Sequence, residues 1–170
     1  FNSPSGACPQ CEGLGQVLGF DAARVVSFPS LSLASGAVKG WDRRNPYTFG
    51  LLEGVARHYG FDIDAPFEAL PAQAQQVLLH GSGEQDIVFV YEAQSAKGKA
   101  RSVKRSHPFE GILPNLERRY RETDSAAVRE DLARYQAAKP CTDCGGTRLK
   151  REARHVFLQG QDPAVRGLPI

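Results

Sequence analysis

Two short cysteine blocks near opposite ends constrain this chain more than any other feature. The first reads ACPQCEGLG over residues 7–15 and the second PCTDCGGTRL over residues 140–149; both have the form C-x-x-C-x-G, with Gly13 and Gly146 at equivalent places. Blocks so rich in Cys, Gly and Pro suit neither a helix nor an ordinary strand, and each reads as a tight knuckle. They form the only internal repeat of the chain and contain all 4 of its cysteines.

A structural zinc site takes four soft or borderline ligands in a closed tetrahedron, and one C-x-x-C turn supplies two thiolates. A glycine two residues beyond the second cysteine lets the backbone wrap the sulfurs and leaves amide N–H groups to hydrogen-bond them. The spacing therefore predicts a single structural Zn2+ held by Cys8, Cys11, Cys141 and Cys144. Two other arrangements stay open. Each pair can close as a disulfide, which is the chemistry of redox devices and is not supported by any secretory signal here. Each knuckle can also complete its site with cysteines outside this sequence. The long interval between the knuckles is compatible with one shared ion, because loop-closure entropy grows only slowly with length.

The interval has hydrophobic periodicity and turn punctuation of its own, so it reads as a domain (residues 16–139) inserted into a zinc module (residues 1–15 and 140–170, the latter including the start of a following segment). Phe49, Leu52, Ala56 and Tyr59 recur at helical spacing and predict a helix over 47–59 stopped by Gly60. A second helix follows Pro71 and ends near His80. Residues 87–91 form a continuous β-branched and aromatic run, expected to be a buried strand; residues 93–98 read as a loop, and 101–107 as a returning strand, polar on both faces and projecting into solvent. Ile112, Leu113, Leu116 and Tyr120 mark another helix, and Val128, Leu132 and Tyr135 one more, capped through Asp124-Ser125. Residues 154–158 look like the start of a strand. The expected fold class is α+β: several helices and a small antiparallel hairpin projecting from a four-cysteine zinc module.

A chain of 170 residues with 41% hydrophobic and 24% charged residues is able to bury a core, and it has no apolar run long enough to span a bilayer. The start Phe1-Asn2-Ser3-Pro4 shows no initiator methionine, basic n-region or apolar h-region. The expectation is a piece excised from a longer cytoplasmic protein, with no membrane partner.

The net charge of +2, from 21 basic and 19 acidic residues, is too near balance to indicate a nucleic-acid partner by itself. Its distribution is more informative. Lys97, Lys99, Arg101, Lys104 and Arg105 cluster on the proposed hairpin, where they are candidates to neutralise DNA phosphates; the competing reading is a solvated loop. Arg118, Arg119 and Arg121 are expected to pair with Glu117 and Glu122. Arg43 and Arg44, in the turn from Trp41 to Pro46, are candidates either to grip a phosphate or to lock the turn by stacking on Trp41, and the second is preferred. Trp41 reads as a core anchor. Base stacking is not expected, since no other aromatic is interleaved with these basic residues.

No catalytic residues are expected. The four histidines lack metal-ligand spacing, and Gly81-Ser82-Gly83 leads from helix to strand, the reverse of a phosphate-binding loop.

Four stretches together carry a family resemblance: FNSPSGACPQCEGLG at the start, GWDRRN at 40–45, HPFEGILPNLERRYRET at 107–123 and CTDCGGTRLKREARHV at 141–156. In this order they resemble the UvrA family, the ATP-binding-cassette damage-recognition subunit of bacterial nucleotide excision repair. The resemblance runs through essentially the whole chain. It implies an insertion domain together with the zinc module from which it projects, and it pairs the two knuckles across the insertion. It also implies double-stranded, damaged DNA of any sequence as partner, and a homodimeric parent that binds UvrB through a different insertion. ATP and Mg2+ belong to the parent, since neither a Walker A loop nor a signature run occurs in this sequence. The alternative is a structural or protein-interaction lobe with no direct DNA contact.

Overall fold

The structure, a computed structural model, describes the backbone of residues 5–94 and 100–155, and the side chains of those residues outside 92–102. In chain order its elements are β1 (Gln16–Phe20), α1 (Ala22–Val25), α2 (Pro46–Tyr59), α3 (Ala72–His80), β2 (Asp86–Gln94), β3 (Ala100–Pro108), α4 (Ile112–Glu122), α5 (Ala126–Ala133) and β4 (Gln136–Pro140). Short 3-10 turns occupy Phe67–Ala69 and Glu152–His155. The class is α+β, as expected. The chain divides into two compact units, one made of Phe1–Gly19 with Ala137–Ile170 and the other of Phe20–Gln136.

In the larger unit, helix α2 begins where the Asn45 side chain accepts from the Thr48 N–H at 3.4 Å, with Pro46 in the first turn, where its missing N–H costs nothing. It ends at Gly60, whose left-handed φ of 70° would strain any other common residue. One face of α2, including Phe49, Leu52 and Val55, is buried. This face packs on β2, which pairs antiparallel with β3 from Asp86 opposite Pro108 to Gln94 opposite Ala100.

Side chains alternate across a strand, and β2 shows it plainly: Ile87 and Phe89 are buried while Val88, between them, is 50% exposed. The apolar run 87–91, which predicts continuous burial, is thus a strand with one face covered and one face wet. Gly54 is what lets α2 come so close. A Cβ at this position would lie 2.5 Å from Phe89 Cδ1.

Helices α3, α4 and α5 complete the unit, with α3 against α2 and α4, and α4 against α5. Ile112, Leu113 and Leu116 are the buried face of α4, and the Ser125 hydroxyl caps α5 by accepting from the Val128 N–H at 3.4 Å. Residues 81–83 form the expected turn from helix to strand. There the Ser82 N–H donates to the Phe109 carbonyl at 2.9 Å and the Phe109 N–H returns a bond to Ser82 Oγ at 2.8 Å. Trp41 is buried, with its ring edge-on to Phe109 at 6.3 Å, which is the anchoring role anticipated for it.

Two readings are corrected. Tyr135 lies beyond the end of α5, where its carbonyl accepts from the Asp21 N–H at 2.9 Å. Arg154 and His155, read as the start of a strand, belong to a 3-10 turn; residues 156–158 lie outside the described residues.

β1 and β4 make a two-stranded sheet, with most of its residues in the smaller unit. The Cys141 N–H donates to the Gly15 carbonyl at 3.0 Å beyond one end, and Asp21 bonds Tyr135 beyond the other, so the strands run antiparallel. Among the described residues, no helix is long and apolar enough to cross a membrane.

Candidate metal centre and cationic surface

The two knuckles close on each other by exchanging equivalent backbone hydrogen bonds. The Cys8 N–H donates to the Arg148 carbonyl at 2.8 Å, and the Cys141 N–H donates to that of Gly15 at 3.0 Å. Each accepting residue lies four positions after the second cysteine of its own knuckle. Backbone angles repeat as well: φ is 51° and 59° at Glu12 and Gly145, 78° and 86° at Gly13 and Gly146, and 77° and 71° at Gly15 and Arg148. All six sit in the left-handed region, which glycine adopts most readily; Glu12 and Arg148 are the exceptions.

This closure brings Cys8, Cys11, Cys141 and Cys144 together, all buried and with their sulfurs within 4.8 Å of one another. Cys8 and Cys141 Sγ are 3.9 Å apart, and Cys11 and Cys144 Sγ are 3.7 Å apart. No disulfide joins them. Sulfurs placed about 2.3 Å from a central zinc at tetrahedral angles would be roughly 3.8 Å apart, which the Cys8–Cys141 and Cys11–Cys144 separations match.

Amide groups supply the surrounding shell. The Gly15 N–H donates to Cys11 Sγ at 3.2 Å, and the amides of Gly146 and Arg148 point at Cys144. The wrapped-glycine geometry read from the sequence is therefore present.

The thiols are electrostatically unequal. Burial foremost, with the Asp143 carboxylate 3.2 Å from its sulfur, pushes Cys8 up to about 12, against the amides of Cys11 and Gln10. Burial acts to raise Cys144 too, but hydrogen bonds from the Arg148 and Gly146 amides and from the neighbouring thiols bring it down to about 7. A divalent ion taken up by this set has to displace protons, so uptake is coupled to pH and to closure of the two knuckles.

Among the described residues, the predicted cationic side chains are not gathered into one patch. Lys97 and Lys99 lie outside the described residues, and for Arg101 only the backbone is described, paired with Ala93. Lys104 and Arg105 are both exposed. They are adjacent on β3, opposite Val90 and Phe89 respectively, so strand alternation sends them to opposite faces of the hairpin.

Arg44 clamps the buried carboxylate of Asp42, its Nε donating to Oδ1 at 3.0 Å while its own backbone N–H donates to the same oxygen at 2.9 Å. The turn is thus locked, though by a carboxylate and not by stacking on Trp41. Arg43 donates to Asp64 at 3.0 and 3.2 Å and lies 5.7 Å over the ring of Phe49. Arg118 pairs with Glu122 as anticipated, and also with Glu110 at 2.8 Å, a partner that helical spacing does not reveal. Among the described residues Arg119 and Arg121 form no ion pair, so the pairing expected for all three arginines holds for one.

An α+β body inserted between two halves of a closed four-cysteine knuckle is the class of module that this fold and site define. The family model described as UvrA DNA-binding domain matches residues 21–134, and the chain belongs to that family. UvrABC system protein A of Pseudomonas aeruginosa is 54% identical over 171 aligned residues, covering 100% of this chain and 18% of that protein. The Salmonella typhimurium protein of the same name is 53% identical with the same coverage. The chain thus spans about a fifth of the length of these curated relatives. The crystal structure of UvrA2 from Deinococcus radiodurans shares the fold, with a TM-score of 0.62 at 24% identity over 95% of this chain and 20% of that one.

Proposed function

We propose that this chain is a non-catalytic DNA-binding module of a longer, cytoplasmic excision-repair ATPase, and that Cys8, Cys11, Cys141 and Cys144 hold one structural Zn2+. The ion supplies a four-thiolate crosslink that ties the two ends of residues 16–139, the inserted lobe, to one point. The match of residues 21–134 to a family described as DNA-binding carries the DNA reading. Arg43, Arg44, Lys97, Lys99, Arg101, Lys104 and Arg105 are the candidate phosphate-binding residues, of which Lys104 and Arg105 are exposed and form no ion pair among the described residues.

Phosphate contacts position a protein without reading sequence, which suits a sensor of damaged duplex in any sequence context. ATP and Mg2+ binding, homodimerisation and recruitment of UvrB belong, in this reading, to parts of the parent outside this chain.

The test is duplex binding by the metal-loaded chain over a range of salt. The combined Lys97→Glu, Lys99→Glu, Lys104→Glu variant should flatten the log–log salt slope by roughly 0.9 for each phosphate that is no longer neutralised. One observation favours a second reading, that of a structural or protein-interaction lobe: Arg43, Arg44 and Arg118 spend their charge on internal carboxylates. An unaltered salt slope in the triple variant would select it.

A further inference from the structure

The fold assembles aromatic and cationic side chains that are not interleaved in the sequence. Between α2 and β2 runs a groove of about 760 Å3, within the range of small-ligand clefts, walled by Tyr47 and Tyr91 with Phe89 at its base. The Tyr47 and Tyr91 rings lie 6.2 Å apart at an angle of 33°. Tyr91 is held in place through its hydroxyl, 2.8 Å from His107 Nε2. Tyr47 is 65% exposed, so a flat aromatic face is left open to solvent.

Gly50, one turn along α2 from Tyr47, also lines the groove. A Cβ there would meet nothing within 4 Å, in contrast to Gly54, whose missing Cβ is needed for packing. Charge completes the site. Arg57 lines the groove and makes no ion pair among the described residues, while Glu53 offers a carboxylate acceptor. Arg105, opposite Phe89 in the ladder, stands on the same strand face as Tyr91.

We infer that this groove takes one unpaired nucleobase, stacked on Tyr47, with Arg57 on the adjoining phosphate and Glu53 accepting from a base N–H. Base–aromatic stacking beside cations is how sequence-tolerant single-strand sites work, and a base within an intact duplex has no free face to offer. The groove thereby separates unstacked from stacked DNA. The inference rests on the DNA-binding reading above and adds to it a preference for locally opened strands.

The test uses the metal-loaded full chain and two duplexes of the same sequence, one fully paired and one with a single-nucleotide 2-aminopurine bulge. Tighter binding of the bulged duplex, with 2-aminopurine quenching, is expected. Tyr47→Ala should weaken bulge binding by roughly 5- to 150-fold, the range for losing one base–aromatic stack, and leave affinity for the paired duplex unchanged. Gly50→Leu, which fills the groove from the α2 side, should do the same. Thermal melting checks that both variants fold, and the exposed Tyr47 keeps that variant informative if the bulkier one does not.

Equal affinity for the two duplexes in the wild type, as expected if the groove takes a protein segment instead, would overturn the inference and leave the DNA reading standing. So would a bulge preference that survives both substitutions. Absence of salt-dependent binding to either duplex would bring down the DNA-binding reading and the inference together.

Discussion

Gly15 and Arg148 hold the same left-handed backbone conformation, φ 77° and 71°, and accept equivalent hydrogen bonds from Cys141 and Cys8. One is a glycine and the other is not. A Cβ on Gly15 would meet the Gly146 carbonyl oxygen and Arg148 Cγ at 2.8 Å, so the two halves of the knuckle fit only if one of them is bare. Gly15→Ala is accordingly expected to lose about 1–2 kcal/mol from backbone strain alone, plus the cost of that close approach. Arg148→Gly should stay within about 1 kcal/mol of wild type, because relief of strain and greater freedom of the unfolded chain oppose each other. Chemical denaturation of both variants measures the asymmetry.

Elemental analysis of the purified chain should find about one zinc per molecule, since four thiolates close one tetrahedral site. Cys141→Ala is expected to lose the ion and to loosen the backbone on both sides of the knuckle, because metal binding and closure are one free-energy change. The core around Leu52, Val55 and Ile112 should stay folded, as it draws nothing from the thiols. Amide hydrogen exchange reads the two regions separately: fast exchange at Cys8 and at position 141 with protection kept in α2 is the expected pattern, and uniform loss of protection would contradict it.

Two glycines one turn apart on α2 should respond in opposite directions. Gly54→Ala forces a methyl to within 2.5 Å of Phe89 Cδ1, an overpacking expected to cost about 1–3 kcal/mol. Gly50→Ala places its methyl in open space and should gain about 0.5–1 kcal/mol from restricting the unfolded chain. Pairing Gly54→Ala with Phe89→Leu should recover part of the loss, since the ring edge is the obstacle. Thermal midpoints of these variants decide this.

The Arg44 guanidinium beside the buried Asp42 holds that carboxyl below its usual range, through its hydrogen bonds first, with burial opposing. A carboxylate whose folded pKa is depressed adds stability that is complete above its unfolded value, about 3.9, and fades as pH falls through the folded one. Asp42→Asn should therefore be less stable than wild type by a constant margin from about pH 6 to 8, on the order of 1 kcal/mol. That margin should narrow below about pH 4, where the carboxyl begins to protonate in the unfolded chain while the fold still holds it ionised. Melting curves over this range test the sign, and a margin that widens in acid would refute it.

What the sequence reveals tracks how local the cause is. Helix α2 is legible because Asn45, Pro46 and Gly60 mark both ends within one stretch of chain, and α5 because Ser125 caps it. The hairpin of β2 and β3 is legible because residues 87–91 are β-branched and aromatic. By contrast, β4 reads Gln-Ala-Ala-Lys-Pro, residues that are depleted in strands, and it pairs with β1 because the knuckle bond at Gly15 and Cys141 lays the two segments side by side.

The same limit governs the site. Convergence of the cysteines follows from repeated local spacing and is readable. The partners of the arginines are not. Asp64 lies far from Arg43 in sequence and Glu110 sits before the helix carrying Arg118, so neither falls at a helical interval. Likewise Tyr47 and Tyr91 become neighbours only once α2 rests on β2.

The antiparallel run of β1 beside β4 makes the base of residues 21–134 behave like a socket. Departure and return occur at neighbouring strand ends, at the end of the ladder away from Cys141. A two-residue Asn-Gly hairpin joining Phe20 to Gln136 is accordingly expected to cap the stump, with the four cysteines still able to meet.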